Sequence, residues 1–118
     1  MNIEEIREYC LSLKGVTESL PFDDNTLVFK VMGKMFALSD IDSRPNMVNV
    51  KCDPEKAIEL RERYTGVEPG YHMSKVHWNT IRFDGSISDE QARQWIQDSY
   101  DLVVSSLTRK LKAELEEL

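Results

Sequence analysis

Residues 26–39 read Thr26-Leu27-Val28-Phe29-Lys30-Val31-Met32-Gly33-Lys34-Met35-Phe36-Ala37-Leu38-Ser39. Two apolar, partly β-branched runs flank a Gly33-Lys34 step. That is the pattern of a tight hairpin closed by a type I′ or II′ turn. An antiparallel strand pair is therefore predicted near the middle of the chain. On its C-terminal side, residues 40–46 are turn formers around Pro45, and Met47-Val48-Asn49-Val50-Lys51 alternates as a third strand. On its N-terminal side, residues 16–25 (VTESLPFDDN) read as a loop around Pro21.

Helices are predicted before and after these strands in the chain. Residues 2–13 open with Asn2 and Glu5 in capping-box spacing and carry Ile3, Ile6, Cys10 and Leu13 on one stripe, with Gly15 as the stop. Asp53 caps a second helix with Pro54 at its first position, running to Thr65-Gly66. Residues 67–70 read as a turn-rich link. A strand is centred on Trp78–Phe83, and residues 71–76 are compatible with a strand or a loop. Ser88 and Gln91 form a second capping box for a helix with the stripe Ala92, Trp95, Ile96, Tyr100, Val103 and Leu107. Leu111 and Leu115 extend that stripe into a tail that is either more helix or a frayed end.

Hairpin signals and alternating strands favour an antiparallel sheet. The predicted fold is α+β, a two-layer sandwich with helices on one face and the other face solvated. With 118 residues and no long linker, the chain reads as one domain over 1–118.

Composition removes several function classes. No apolar run reaches the ~18–20 residues of a membrane span. The start carries Glu4 and Glu5 where a secretory signal needs basic residues, so a cytoplasmic protein is expected. Cys10 and Cys52 are two isolated thiols, which excludes a disulfide scaffold or zinc ribbon. The net charge of −6 counts against strong nonspecific nucleic-acid binding. That charge is uneven. Residues 1–24 hold two basic and six acidic side chains, residues 84–118 hold four and eight, and residues 25–83 hold nine and seven. The sheet-rich middle is mildly basic.

The densest group of chemically capable side chains is Tyr71, His72, Lys75, His77, Trp78, Asn79, Thr80 and Arg82. His72 and His77 are five apart, a spacing that matches neither a helical nor a strand metal pair, and no nucleophile motif accompanies them. Cations with Trp78 or Tyr71 would suit phosphates and stacked bases. Core packing of Trp78 and Met73 accounts for the same residues equally well. The pairs Asp23-Asp24 and Asp40/Asp42 are ordinary turn residues. No catalytic residue, metal ligand or cofactor is assigned.

Four stretches carry a resemblance. They are PFDDNTLVFKVMGKMFAL (21–38), NVKCDPEKAIELRERY (49–64), PGYHMSKVHWNTI (69–81) and SYDLVVSSL (99–107). In this order the chain resembles the MmcQ/YjbR family of small bacterial proteins. The resemblance implies a CyaY-like α+β fold and a DNA-binding role through a double wing of β elements. The family string falls on Tyr71, His72, Met73, Lys75, His77, Trp78, Asn79 and Thr80, and departs from the usual pattern at Ser74 and Val76.

Two functions are therefore expected as alternatives. One is weak, salt-sensitive DNA binding by a monomer, using Lys34, Arg44, Lys51, Lys75, His77, Trp78, Asn79 and Arg82. The other is a non-enzymatic domain that binds a small ligand or protein partner in a pocket near Tyr71, His72 and Trp78.

Overall fold

Asn2 opens helix α1 (Ile3–Ser12): its side chain accepts the Glu5 N–H, and the Glu5 carboxylate accepts the Asn2 N–H. The computed structural model describes residues 1–71 and 73–118. After α1 come β1 (Val16–Ser19), β2 (Thr26–Val31), β3 (Lys34–Asp40) and β4 (Met47–Lys51). Helix α2 (Pro54–Arg63), β5 (Val67–Pro69), β6 (Trp78–Arg82), α3 (Asp89–Ser105) and α4 (Arg109–Glu116) complete the order. The strands make one antiparallel sheet in the order β1-β2-β3-β4-β6-β5. The fold is α+β, with the helices packed on that sheet.

Several elements differ from the sequence expectation. The hairpin tip is Met32-Gly33, because Val31 pairs with Lys34. Both tip residues have positive φ, 49° and 82°, as a type I′ turn requires. Gly33 adopts this readily, while Met32 is a non-glycine residue in the left-handed region. The segment expected as a loop begins with edge strand β1, whose four residues alternate half-buried and exposed. The link at 67–70 contains edge strand β5. Pro69 is tolerated there because an edge strand leaves one row of N–H positions unpaired.

The tail is a separate helix. Thr108 caps α4 through the Leu111 N–H. Leu115 then packs onto Gly15, whose φ is +74° and where any Cβ would lie 2.5 Å from the Leu115 side chain.

Register sorts side chains between the two faces. Phe29, Val31, Phe36, Val48, Val50, Val67 and Ile81 join residues of all four helices in one core cluster. The bulge opposite Phe29/Lys30 leaves Phe36 without a strand partner. Ser99 of α3 repairs it. Its hydroxyl donates to the Phe36 carbonyl at 2.6 Å and accepts the Lys51 N–H at 2.8 Å. The β3–β4 pairing stops at Ala37↔Val50, so this hydroxyl closes the ladder where the strands diverge.

The face away from the helices was expected to be solvated. At its centre it is not: Val28, Leu38, Met47, Asn49 and Thr80 are buried there too. Two loops supply the cover, residues 20–25 and the described residues that follow β5, Tyr71 and Met73 among them.

Ser99→Ala is expected to lower stability by about 2–4 kcal/mol, since it orphans two buried backbone groups at ~1–3 kcal/mol each. Urea unfolding measures this, and Ser99→Thr should recover part of the loss.

Candidate functional site

The loop cover of the open face is incomplete, and a cavity of about 430 Å³ remains beneath it. Leu38 of β3 with Met47 and Asn49 of β4 form the floor. Phe22, Asp23 and Asn25 enter from the first loop, and Tyr71 and Met73 from the second. Thr26 and Asp40 line the far end.

Short-range chemistry shapes the first loop. Asp23 accepts the N–H groups of Asn25 and Thr26 and the Thr26 hydroxyl, an Asx-type turn that delivers the chain into β2. These donors favour the carboxylate and hold the Asp23 pKa below the usual range. The second loop is held from three directions. The Arg61 guanidinium donates to the Asn79 side chain and to the carbonyls of Lys75 and Trp78. Lys75 Nζ donates to the Gly70 carbonyl, and the Tyr71 N–H donates to Thr80 Oγ1. Gly70 is required where this loop leaves β5, because a Cβ there would lie 2.7 Å from Trp78 Cβ.

Thr80 and Asn49 set the polarity of the floor. The Thr80 hydroxyl accepts from Tyr71, so its own proton goes to Asn49 Oδ1. That leaves the Asn49 amide Nδ2 as a donor with no protein partner among the described residues. No fully enclosed side-chain nitrogen or oxygen among the described residues lacks a hydrogen bond. The Asn49 amide therefore keeps solvent contact, although the residue is only 3 % exposed. Asn49 sits at the middle of β4 on this face and lines the cavity.

The expected DNA-contacting residues divide between the two ends of the sheet. Lys34, Lys51, Lys75 and His77 lie at the end of the Met32-Gly33 turn, where β4 finishes and β6 begins. Arg44 and Arg82 lie at the opposite end, roughly 15–20 Å away at ~3.3 Å per strand residue. Arg44 folds onto the carbonyls of Ile41 and Ser43, and Arg82 pairs with Glu68 at 2.8 Å. Trp78 is buried on the open face beside Lys51. Asn79 is buried on the helix face, where it joins α2 to β6 through Arg61 and the Ala57 carbonyl. Of the expected ligand pocket, Tyr71 lines the cavity, Trp78 does not, and His72 lies outside the described residues.

Asn49 was not singled out from sequence, yet it carried a signal. Asn is depleted in strands, and here it interrupts a run of buried apolar residues.

A second cavity of about 340 Å³ lies between α2, α3 and the sheet, with Val50, Leu60, Val67 and Trp95 among its walls and Cys52 in its lining. Burial raises the Cys52 thiol pKa, and it pushes the Cys10 thiol in the core up to about 12. Both are held as neutral thiols at physiological pH. Among the described residues, no helix is long and apolar enough to cross a membrane. No cluster of three or more His, Cys, Asp or Glu able to hold a metal occurs among the described residues.

Residues 11–102, from the end of α1 through most of α3, match the YjbR family model. The chain belongs to the YjbR family. It is 33% identical to the uncharacterized protein YjbR of Escherichia coli over 119 residues, covering 100% of each chain. It is 36% identical over 107 residues to the uncharacterized protein YbdF of Escherichia coli, covering 91% of this chain and 88% of that one. A crystal structure of the Deinococcus radiodurans protein DR2400, with a DUF419 domain, superposes with a TM-score of 0.92 at 37% identity, covering 98% of this chain and 88% of that one. A Pseudomonas syringae crystal structure gives 0.74 at 25% identity over 86% and 98%. The matched region contains every residue of the open-face cavity and both loops that cover it.

The Cys10 shift sets a pH dependence. An unfolded thiol ionises near 9 while the buried one keeps its proton to about 12. The unfolded state therefore binds fewer protons between these values, and stability must fall as pH rises through that window. Chemical unfolding between about pH 8 and 10 should show the decline, and Cys10→Val should reduce its slope.

Proposed function

We propose that this YjbR-family domain is a small-molecule binding protein whose site is the open-face cavity between β3, β4 and the two covering loops. The observation that carries this is Asn49. A buried amide at the centre of a sheet, on a residue that lines the cavity, with its oxygen already engaged and its nitrogen without a protein partner among the described residues, can bond a ligand acceptor. The cavity falls in the ~300–1,000 Å³ range of small-ligand sites and combines apolar walls with a few convergent polar groups. Its residues come from rigid strands on one side and from loops on the other, which suits entry by loop movement. The two unpaired thiols fit a reducing, cytoplasmic setting. No nucleophile or base is assigned, so the role is binding, not catalysis.

A fragment screen read by amide NMR shifts and thermal stabilisation tests this. Hits should move the signals of Leu38, Met47, Asn49 and Met73. Asn49→Leu should weaken them about tenfold, the effect of removing one hydrogen bond of ~1.4 kcal/mol. Met73→Ala, at the loop wall, should weaken them while leaving the fold intact. A screen with no hit at these residues would contradict the proposal.

A second reading, nucleic-acid binding, is favoured by one observation. Lys34, Lys51, Lys75 and His77 share the hairpin end of the sheet, away from Arg44 and Arg82. The β2–β3 hairpin would act there as one wing. With three lysines there and a net charge of −6, binding would be weak and steeply salt-dependent. Duplex anisotropy should then show affinity at about 50 mM salt that is lost by about 200 mM, and lost again in Lys34→Ala/Lys51→Ala. No binding at low salt removes this reading.

A further inference from the structure

The charges around the open-face cavity point to a ligand class. Its described lining residues include two carboxylates, Asp23 and Asp40, and no lysine or arginine. Asp23 is fixed in its ionised form by three donors from its own turn. Among the described residues Asp40 accepts one hydrogen bond, the Asp42 N–H on Oδ1. Both carboxylate residues adjoin Thr26, and the rest of the lining includes Leu38 and Met47 on the floor, Met73 on the loop wall, and the ring of Phe22, which is 64 % exposed at the rim. Thioether sulfur and aromatic faces are polarisable and favour a neighbouring cation. Two carboxylates beside a half-enclosed apolar space disfavour an anion, since the local dielectric is below that of water.

Resting on the reading of this cavity as a small-molecule site, we propose that its ligand is an organic cation carrying one hydrogen-bond acceptor. An ammonium or amidinium group faces Asp40 and Asp23. An apolar or aromatic body lies on Leu38 and Met47. The acceptor takes the Asn49 amide. This chemistry is opposite in sign to that of the hairpin end, so phosphate-bearing ligands belong to that end and not to this cavity.

Three matched probes separate the possibilities: para-aminomethylbenzamide, a cation; para-hydroxymethylbenzamide, neutral; and para-carbamoylbenzoate, an anion. All three carry the same amide acceptor and ring. NMR titration of the full chain should give an affinity for the cation about tenfold above that of the neutral probe and no shift with the benzoate. Asp40→Asn keeps the oxygen that accepts the Asp42 N–H. It should reduce the cation's affinity about fivefold while leaving the neutral probe unchanged, and the preference should shrink as salt rises. Equal affinities, or preference for the benzoate, with shifts still centred on Asn49, overturn the cation assignment and leave the cavity reading standing. No shift at Asn49 with any probe overturns the cation assignment, and together with a silent fragment screen it overturns the cavity reading as well.

Discussion

One buried hydroxyl bonds helix α3 directly to two strands of the sheet. Ser99 reaches from α3 to the Phe36 carbonyl and the Lys51 N–H, at the point where the β3 bulge would otherwise leave both unpaired. Because that serine is fully buried, its two bonds fix the position of α3 over β3 and β4 and so the packing of the whole helix layer. A second hydroxyl works on the opposite face. Thr80 links the Tyr71 backbone to Asn49, tying a loop down where no helix is available. A six-stranded sheet with every helix on one side must cover its other side by some means. Here loops do it, and loops cover less completely than helices. The cavity is the consequence of that incompleteness.

Much of the fold was legible in the sequence because its signals are local. Caps at Asn2, Asp53 and Ser88 mark helix starts through bonds three residues long. The hairpin was readable from glycine and β-branched residues, although its tip lay one residue earlier, at Met32-Gly33. Strands β1 and β5 were missed because they are short edge strands made of turn-compatible residues, stabilised by their neighbours and not by their own pattern. The break before α4 was missed because the apolar stripe runs through it.

The site was less legible, for a physical reason. Lys75, Trp78, Asn79 and Arg82 look like a surface from composition, but each is engaged in holding the fold: Lys75 on Gly70, Asn79 on Arg61 and Ala57, Arg82 on Glu68, and Trp78 by burial. Their density in sequence reflects a loop that needs many anchors. The cavity residues, by contrast, come from five separate segments and meet only through sheet register and loop closure. Asn49 alone announced itself, as a polar residue within a buried strand. The segmental charge had pointed to a basic middle. In three dimensions that middle divides into a lysine-bearing hairpin end and a carboxylate-lined cavity, two surfaces of opposite charge on one sheet.

The central claim is that the Asn49 amide awaits a ligand. The side-chain NH₂ signals of Asn49 and Asn79 in a ¹H–¹⁵N spectrum test it most directly, because Asn79 is bonded on both sides and serves as an internal control. On titration with para-aminomethylbenzamide, the account predicts that the Asn49 signals move and saturate while those of Asn79 stay fixed. An unmoved Asn49 pair, or equal movement of both residues, would contradict it.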